Sequence, residues 1–78
     1  MAEITELAEE MFVEDLGVSF DQAKAMVRLL KAERTRRLVE NEGTATELRK
    51  ARSALKLVFQ TSAEERKALG RARVIYQR

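Results

Sequence analysis

The chain has 78 residues, which is enough for a single domain, residues 1–78, with one modest hydrophobic core. It contains no cysteine, histidine or proline, so disulfide bonds, thiolate chemistry and histidine metal ligands are excluded. No apolar run approaches the roughly 20 residues that cross a bilayer, and the N-terminus is acidic. These features predict a cytoplasmic protein that makes no membrane contact.

The net charge of +2 conceals an uneven distribution along the chain. Residues 1–22 carry seven acids and no base, whereas residues 23–78 carry all 15 bases against six acids, an excess of +9. Ten of the bases are arginine, whose planar guanidinium suits phosphate and carboxylate groups. The imbalance predicts a basic surface on the larger, C-terminal part of the molecule.

The hydrophobic pattern predicts an all-α fold, a small bundle of four helices with a long second helix. Apolar residues recur at spacings of three and four, as they do on one face of a helix. Possible capping boxes at Ser19–Gln22, Thr44–Glu47 and Ser62–Glu65 mark helix starts, while Gly17 and Gly43 mark helix ends. The predicted helices cover about residues 3–16, 20–41, 45–60 and 63–76.

The apolar stripes of the four helices are expected to meet in one core. A second helix of about 22 residues would be roughly 33 Å long, which exceeds what a small core covers. Its far end is therefore expected to project beyond the core or to meet a partner. The predicted core residues are Leu7, Met11, Phe12, Ala23, Val27, Leu30, Leu48, Leu55, Val58, Phe59, Leu69 and Ile75.

Catalysis is not expected from this sequence. General acid–base catalysis usually employs histidine or paired carboxylates, and the acids here lie along helices among bases that would keep them ionised. Neither a cluster of metal ligands nor a glycine-rich phosphate loop is present in the sequence. We therefore predict a non-enzymatic protein with no metal, no cofactor and no small-molecule substrate.

The segment VEDLGVSFDQAKAMVRLLK, residues 13–31, resembles a helix-turn-helix unit, with a glycine turn ahead of a helix that carries exposed bases. The resemblance implies that Gln22 could read adenine and that Arg28 could read guanine or hold phosphate. The turn GVS followed by a helix also resembles the first turn of a ubiquitin-associated domain. Since both families fit this corner, it assigns the chain to neither. By the helix-turn-helix likeness, the residues that would face the major groove are Ser19, Asp21, Gln22, Lys24 and Arg28.

We predict a regulatory or accessory protein that binds a partner through a basic helical face, with nucleic acid as the leading partner. One alternative is an adaptor or inhibitor that binds an acidic protein surface. The other is a homo-oligomeric interaction module, expected as a homodimer because the core is small. The predicted residues for nucleic-acid or acidic-partner binding are Gln22, Lys24, Arg28, Lys31, Arg34, Arg36 and Arg37, and those for the oligomer interface are Leu38, Val39 and Leu57.

Overall fold

Four helices separated by three-residue corners make up the part of the chain that the computed structural model describes, which is residues 4–76, with side chains from residue 7 onward. The all-α architecture and the long second helix are confirmed, and no strand occurs within residues 4–76. The predicted start at residue 3 lies outside the described residues. The helices are α1 (Ile4–Leu16), α2 (Phe20–Leu38), α3 (Glu42–Val58) and α4 (Ser62–Tyr76).

Helix α2 lies at the centre of the bundle. It contacts the three other helices, and its most extensive contact is with α3. Among the described residues, α1 and α3 do not approach each other, so they flank α2 on different sides, while α4 contacts all three. The molecule measures 34 × 34 × 18 Å, and a helix with its side chains is about 10 Å across. The molecule is therefore flat, and α4 packs against all three other helices.

The corner between α1 and α2 has the geometry that its sequence predicts. Gly17 has φ +68°, the left-handed conformation that ends a helix. Ser19 is the N-cap of α2: its Oγ accepts a hydrogen bond of 3.1 Å from the backbone N–H of Gln22. In return, Gln22 Oε1 accepts one of 2.9 Å from the N–H of Ser19. Together they complete the capping box.

The corner between α2 and α3 differs from the prediction. Helix α2 ends at Leu38 rather than near residue 41, and Gly43 lies inside α3 instead of ending α2. Asn41 is the N-cap of α3, because its Oδ1 accepts a 2.9 Å hydrogen bond from the N–H of Thr44, which is the N3 residue of the box rather than its cap. The longer helix expected to project past the core is thus replaced by a turn.

Helix α4 also begins one residue earlier than expected. The side chain of Thr61, rather than that of Ser62, accepts a hydrogen bond of 3.1 Å from the N–H of Glu64. Ser62 is the first residue of the helix. The predicted box between Ser62 and Glu65 is therefore wrong by one position, because two adjacent hydroxyls offered the same signal and the first of them is used.

All four helices contribute to a single buried cluster. Phe12, Leu55 and Met26 are its largest fully buried side chains, and they come from three different helices. Six predicted core residues are buried: Phe12, Ala23, Val27, Leu30, Leu55 and Leu69. Four others pack against the cluster while partly exposed: Leu48, Val58, Phe59 and Ile75. The predicted core list omitted six residues that are buried: Ala8, Met26, Leu29, Ala32, Ala51 and Ala72.

The prediction that Leu7 and Met11 belong to the core is wrong, since they are 50% and 42% exposed. Helix α1 carries two apolar stripes side by side, and only one of them can face α2. The stripe that packs contains Ala8 and Phe12, which are 8% and 0% exposed, with Leu16 packed against the cluster. Leu7 and Met11 consequently remain on the outward side of α1.

Candidate functional site

The outward side of α2 forms the floor of an open groove with a volume of about 860 Å³. Lys24, Arg28 and Lys31 recur there at spacings of four and three, on the side of α2 away from its buried residues. Glu9 of α1 and Val58 of α3 also line the groove. The face that the sequence predicts to bind a partner is therefore a channel between two neighbouring helices rather than a free helix surface.

The charges that line this groove balance one another. Three bases, Lys24, Arg28 and Lys31, are matched by three acids. The acids come from three helices: Glu9 from α1, Asp21 from α2 and Glu47 from α3. Helices α1 and α3 thus bring acids to the basic face of α2. Glu9 and Asp21 belong to the acidic residues 1–22 and line this groove.

Arg28 is paired across the groove with Glu47. Its Nε lies 2.8 Å from Oε1 of Glu47, and its Nη2 lies 3.4 Å from Oε2. The hydrogen bond from Arg28 lowers the pKa of the Glu47 carboxyl, and the same hydrogen bond raises the pKa of the guanidinium. The predicted contact of Arg28 with guanine or phosphate would therefore have to use the guanidinium N–H groups that Glu47 leaves open, or displace Glu47.

The side-chain amide of Gln22 is occupied at both ends. Its Oε1 accepts from the N–H of Ser19, and its Nε2 donates a hydrogen bond of 2.9 Å to the carbonyl oxygen of Val58. Reading adenine requires the same two groups. Gln22 therefore acts as a connection between α2 and the end of α3, and this geometry weighs against the predicted role in base recognition.

Insertion of α2 into a major groove also meets a steric difficulty. The major groove is about 12 Å wide and admits one helix. Helices α1 and α3 flank α2, and the molecule measures 34 Å in each of its two longer dimensions. The helix-turn-helix resemblance of residues 13–31 is thus limited to the local corner, because the surrounding helices restrict access to α2.

The three arginines in the last turns of α2 are in different environments. Arg36 is half-buried and donates through Nη1 to the carbonyl oxygen of Asn41 at 3.2 Å and to Thr44 Oγ1 at 3.4 Å. It braces the corner between α2 and α3. Arg34 and Arg37 are exposed, and neither has an ion pair with another described residue. These two remain available to an outside partner.

The two lysines of the predicted site both line the groove. Lys24 Nζ is 5.7 Å from the centre of the Phe20 ring, within the range of a cation–π contact. Phe20 is 56% exposed. Lys31 is exposed but is engaged in an interaction of its own. Of the seven predicted binding residues, Gln22, Arg28 and Arg36 therefore make hydrogen bonds within the protein. The residues that stay exposed without an ion pair to another described residue are Arg34 and Arg37.

A more strongly basic surface lies on the outer face of α3. Residues 48–58 contain four bases and no acid. All four are exposed, and none forms an ion pair with another described residue. The predicted binding site did not include these four bases; the signal that identifies them in the sequence is the acid-free run. We call Arg49, Lys50, Arg52 and Lys56 the α3 basic face.

The three residues of the predicted oligomer interface are exposed but do not form one patch. Leu38, Val39 and Leu57 are 74%, 51% and 86% exposed. Leu38 and Val39 lie at the corner that precedes α3, whereas Leu57 lies near its far end, about 22 Å along the helix. They can therefore contact a partner only as two separate surfaces.

Comparisons with known proteins identify no relative: no protein-family model matches the chain, and neither a curated protein nor a solved structure is significantly similar to it. Within the described residues, no three acidic side chains converge as ligands for a metal ion. None of the helices in residues 4–76 combines the length and apolar character needed to cross a membrane.

Proposed function

We propose that this chain is a small non-enzymatic binding protein that holds an anionic partner against the α3 basic face, with the phosphate backbone of nucleic acid as the leading partner. The observation that carries the proposal is the charge of that face. Four exposed bases lie within residues 48–58, a run that contains no acid, and of these only Lys50 lies close enough to Glu47 to lower the pKa of that carboxyl. Phosphate contacts of this kind supply most of the affinity in binding that is independent of sequence.

The spacing of these bases favours an elongated partner. Arg49, Arg52 and Lys56 follow one another at intervals of three and four residues, so they lie in a line along one side of α3. Seven residues of helix extend about 10 Å, which equals the rise of about three phosphates of one strand along the axis of duplex DNA. Ser53 lies in the same line and is exposed, so its hydroxyl can donate to phosphate.

The same face offers little for reading bases. It carries no amide and no aromatic side chain between Arg49 and Lys56. Adenine is usually read by asparagine or glutamine, and single strands are bound by stacking on aromatic rings. We therefore propose binding to the backbone of a duplex, without strong base preference.

The direct test measures affinity for a mixed-sequence DNA duplex at increasing salt. If four bases contact phosphates, the logarithm of the association constant should fall with the logarithm of salt concentration with a slope of about −3.6. The variant Arg52→Gln/Lys56→Gln should reduce the steepness of that slope by about 2. Absence of binding even at about 50 mM salt would exclude nucleic acid as the partner.

A matched variant distinguishes this surface from the groove on α2. Lys24→Gln/Arg28→Gln removes the same amount of charge from the groove lining. Because that lining is electrically balanced, this variant should leave the salt slope nearly unchanged. If the salt dependence of binding became less steep in the groove variant but not in the α3 variant, the site predicted on α2 would be favoured instead.

The second candidate partner is an acidic protein surface, which the same four cations would also attract. Capture of partners by the immobilised chain, with and without nuclease treatment, separates the two classes. Nucleic acid and proteins bound through it are lost after nuclease treatment, whereas a directly bound acidic protein is retained. The Arg52→Gln/Lys56→Gln variant should reduce capture in either case, because both partners require the α3 basic face.

A further inference from the structure

We infer that copies of this chain associate head to tail, with the outward side of α1 from one copy packed against the α3 basic face of the next. The first observation concerns α1. Leu7 and Met11 are exposed one turn apart, next to Glu10 and Glu14, which are also exposed one turn apart. Residues 7–16 carry four acids and no base. This side of α1 is an apolar strip bordered by negative charge.

The α3 face has the complementary arrangement. Arg52 and Lys56 are exposed one turn apart, and Leu57, which follows directly, is 86% exposed. In each helix the two like charges are four residues apart, which is about 6 Å along the axis. Two carboxylates on α1 can therefore pair with two cations on α3, while Leu57 contacts the strip formed by Leu7 and Met11. Both partners of this contact are present in every copy of the chain.

A single molecule cannot make this contact within itself. Helices α1 and α3 flank α2 and do not approach each other. The acidic surface and the basic surface are consequently separate and can meet only between molecules. Two different surfaces that bind each other form a heterologous contact, which continues from copy to copy unless a ring closes. We expect average mass to rise steadily with concentration.

The contact uses the same face of α3 as the proposed function but does not rest on nucleic-acid binding. It predicts competition, because a face covered by α1 of another copy is not open to phosphate. Variants in α1 separate the two ideas. Glu10→Lys/Glu14→Lys should abolish self-association and leave DNA binding intact, since the α3 basic face is unchanged.

The test is sedimentation of the full chain from micromolar to millimolar concentration at low salt. The wild type should associate, and the single-surface variants Glu10→Lys/Glu14→Lys and Arg52→Glu/Lys56→Glu should each remain monomeric. Mixed in equal amounts, the two variants should associate again, because the reversed charges on one match those on the other. Association of either variant alone, or a constant monomer mass for the wild type, would overturn the inference.

Two controls separate a specific contact from general attraction between opposite charges. Arg66→Glu/Lys67→Glu places the same charge change on α4, where both residues are exposed. Mixed with Glu10→Lys/Glu14→Lys, it should not restore association as the α3 variant does. Leu57→Ser leaves every charge in place and should weaken self-association of the wild-type surfaces; no effect would contradict the apolar contact. Circular dichroism verifies that each variant retains its helices.

Discussion

Gln22 Nε2 donates a hydrogen bond of 2.9 Å to the carbonyl oxygen of Val58, and so joins the first turn of α2 to the last residue of α3. The last carbonyls of a helix have no partner within the helix itself. The same side chain completes the capping box with Ser19. One amide therefore stabilises the start of one helix and the end of another, and holds two corners of the bundle together.

Substitutions at Gln22 can separate these two roles. Gln22→Glu retains an oxygen that accepts from the N–H of Ser19 but removes the donor to Val58, so at neutral pH we expect a loss of about 1 kcal/mol in the free energy of unfolding. Gln22→Ala removes both interactions and should cost more. Urea unfolding measures both. Equal stability of Gln22→Glu and wild type would mean that the bond to Val58 contributes no more than the new carboxylate gains at the helix N-terminus.

Two glycines should respond in opposite directions to the same substitution. Gly17 has φ +68°, and a Cβ there would meet no atom within 4 Å, so the cost of Gly17→Ala is conformational, about 1–2 kcal/mol. Gly70 lies inside α4 without a positive φ and also has open space beside it. Gly70→Ala should stabilise the protein by about 0.5–1 kcal/mol. Melting temperatures of the two variants, one below and one above the wild type, check the prediction.

The N-cap at Asn41 should contribute measurably to the free energy of unfolding. Asn41→Ala removes the acceptor for the N–H of Thr44 and should reduce the free energy of unfolding by about 0.5–2 kcal/mol. Asn41→Asp retains the oxygen and should be nearly neutral or stabilising, because a carboxylate at a helix N-terminus is favourable. Were both variants equally destabilised, the side chain would not be the cap that the geometry indicates.

Lowering the pH should break the ion pair between Arg28 and Glu47. The hydrogen bond from Arg28 lowers the pKa of Glu47 in the folded state, so the contribution of this pair is present above the unfolded carboxyl value of about 4.3. It is lost as pH falls through the lower, folded value. A titration of the Glu47 carboxyl carbon by NMR should give a pKa below the ordinary value, and Arg28→Gln should raise it. An unchanged pKa in that variant would show that Arg28 is not the cause.

The four helices could be predicted because their signals are local. The glycine, serine and glutamine of the first corner act within six residues, and the structure uses all three as expected. The second corner offered competing local signals in the run Asn41–Thr44, with two possible caps and a glycine between them. Asn41 begins the helix because its side chain and that of Thr44 satisfy each other's backbone N–H groups. Sequence rules alone do not rank these alternatives.

The candidate site was less predictable because it depends on how the helices are placed. Lys24, Arg28 and Lys31 share one side of α2, but the acid opposite Arg28 is Glu47, 19 residues away in the chain. Only the packing of α3 against α2 brings them together. Likewise, the choice between the two apolar stripes of α1 is decided by the fit of Phe12 into the core. The acid-free run at residues 48–58, in contrast, was visible in the sequence.

The central position of α2 also has a consequence for the folding rate. Its largest contact surfaces are with α3 and α1, the helices that directly follow and precede it in the chain. Only short segments must close before these contacts form, and helical proteins dominated by contacts between neighbouring helices fold in microseconds to milliseconds. We expect α4, which has the fewest contacts with α2, to dock last, so that Leu69→Ala accelerates unfolding more than it slows folding.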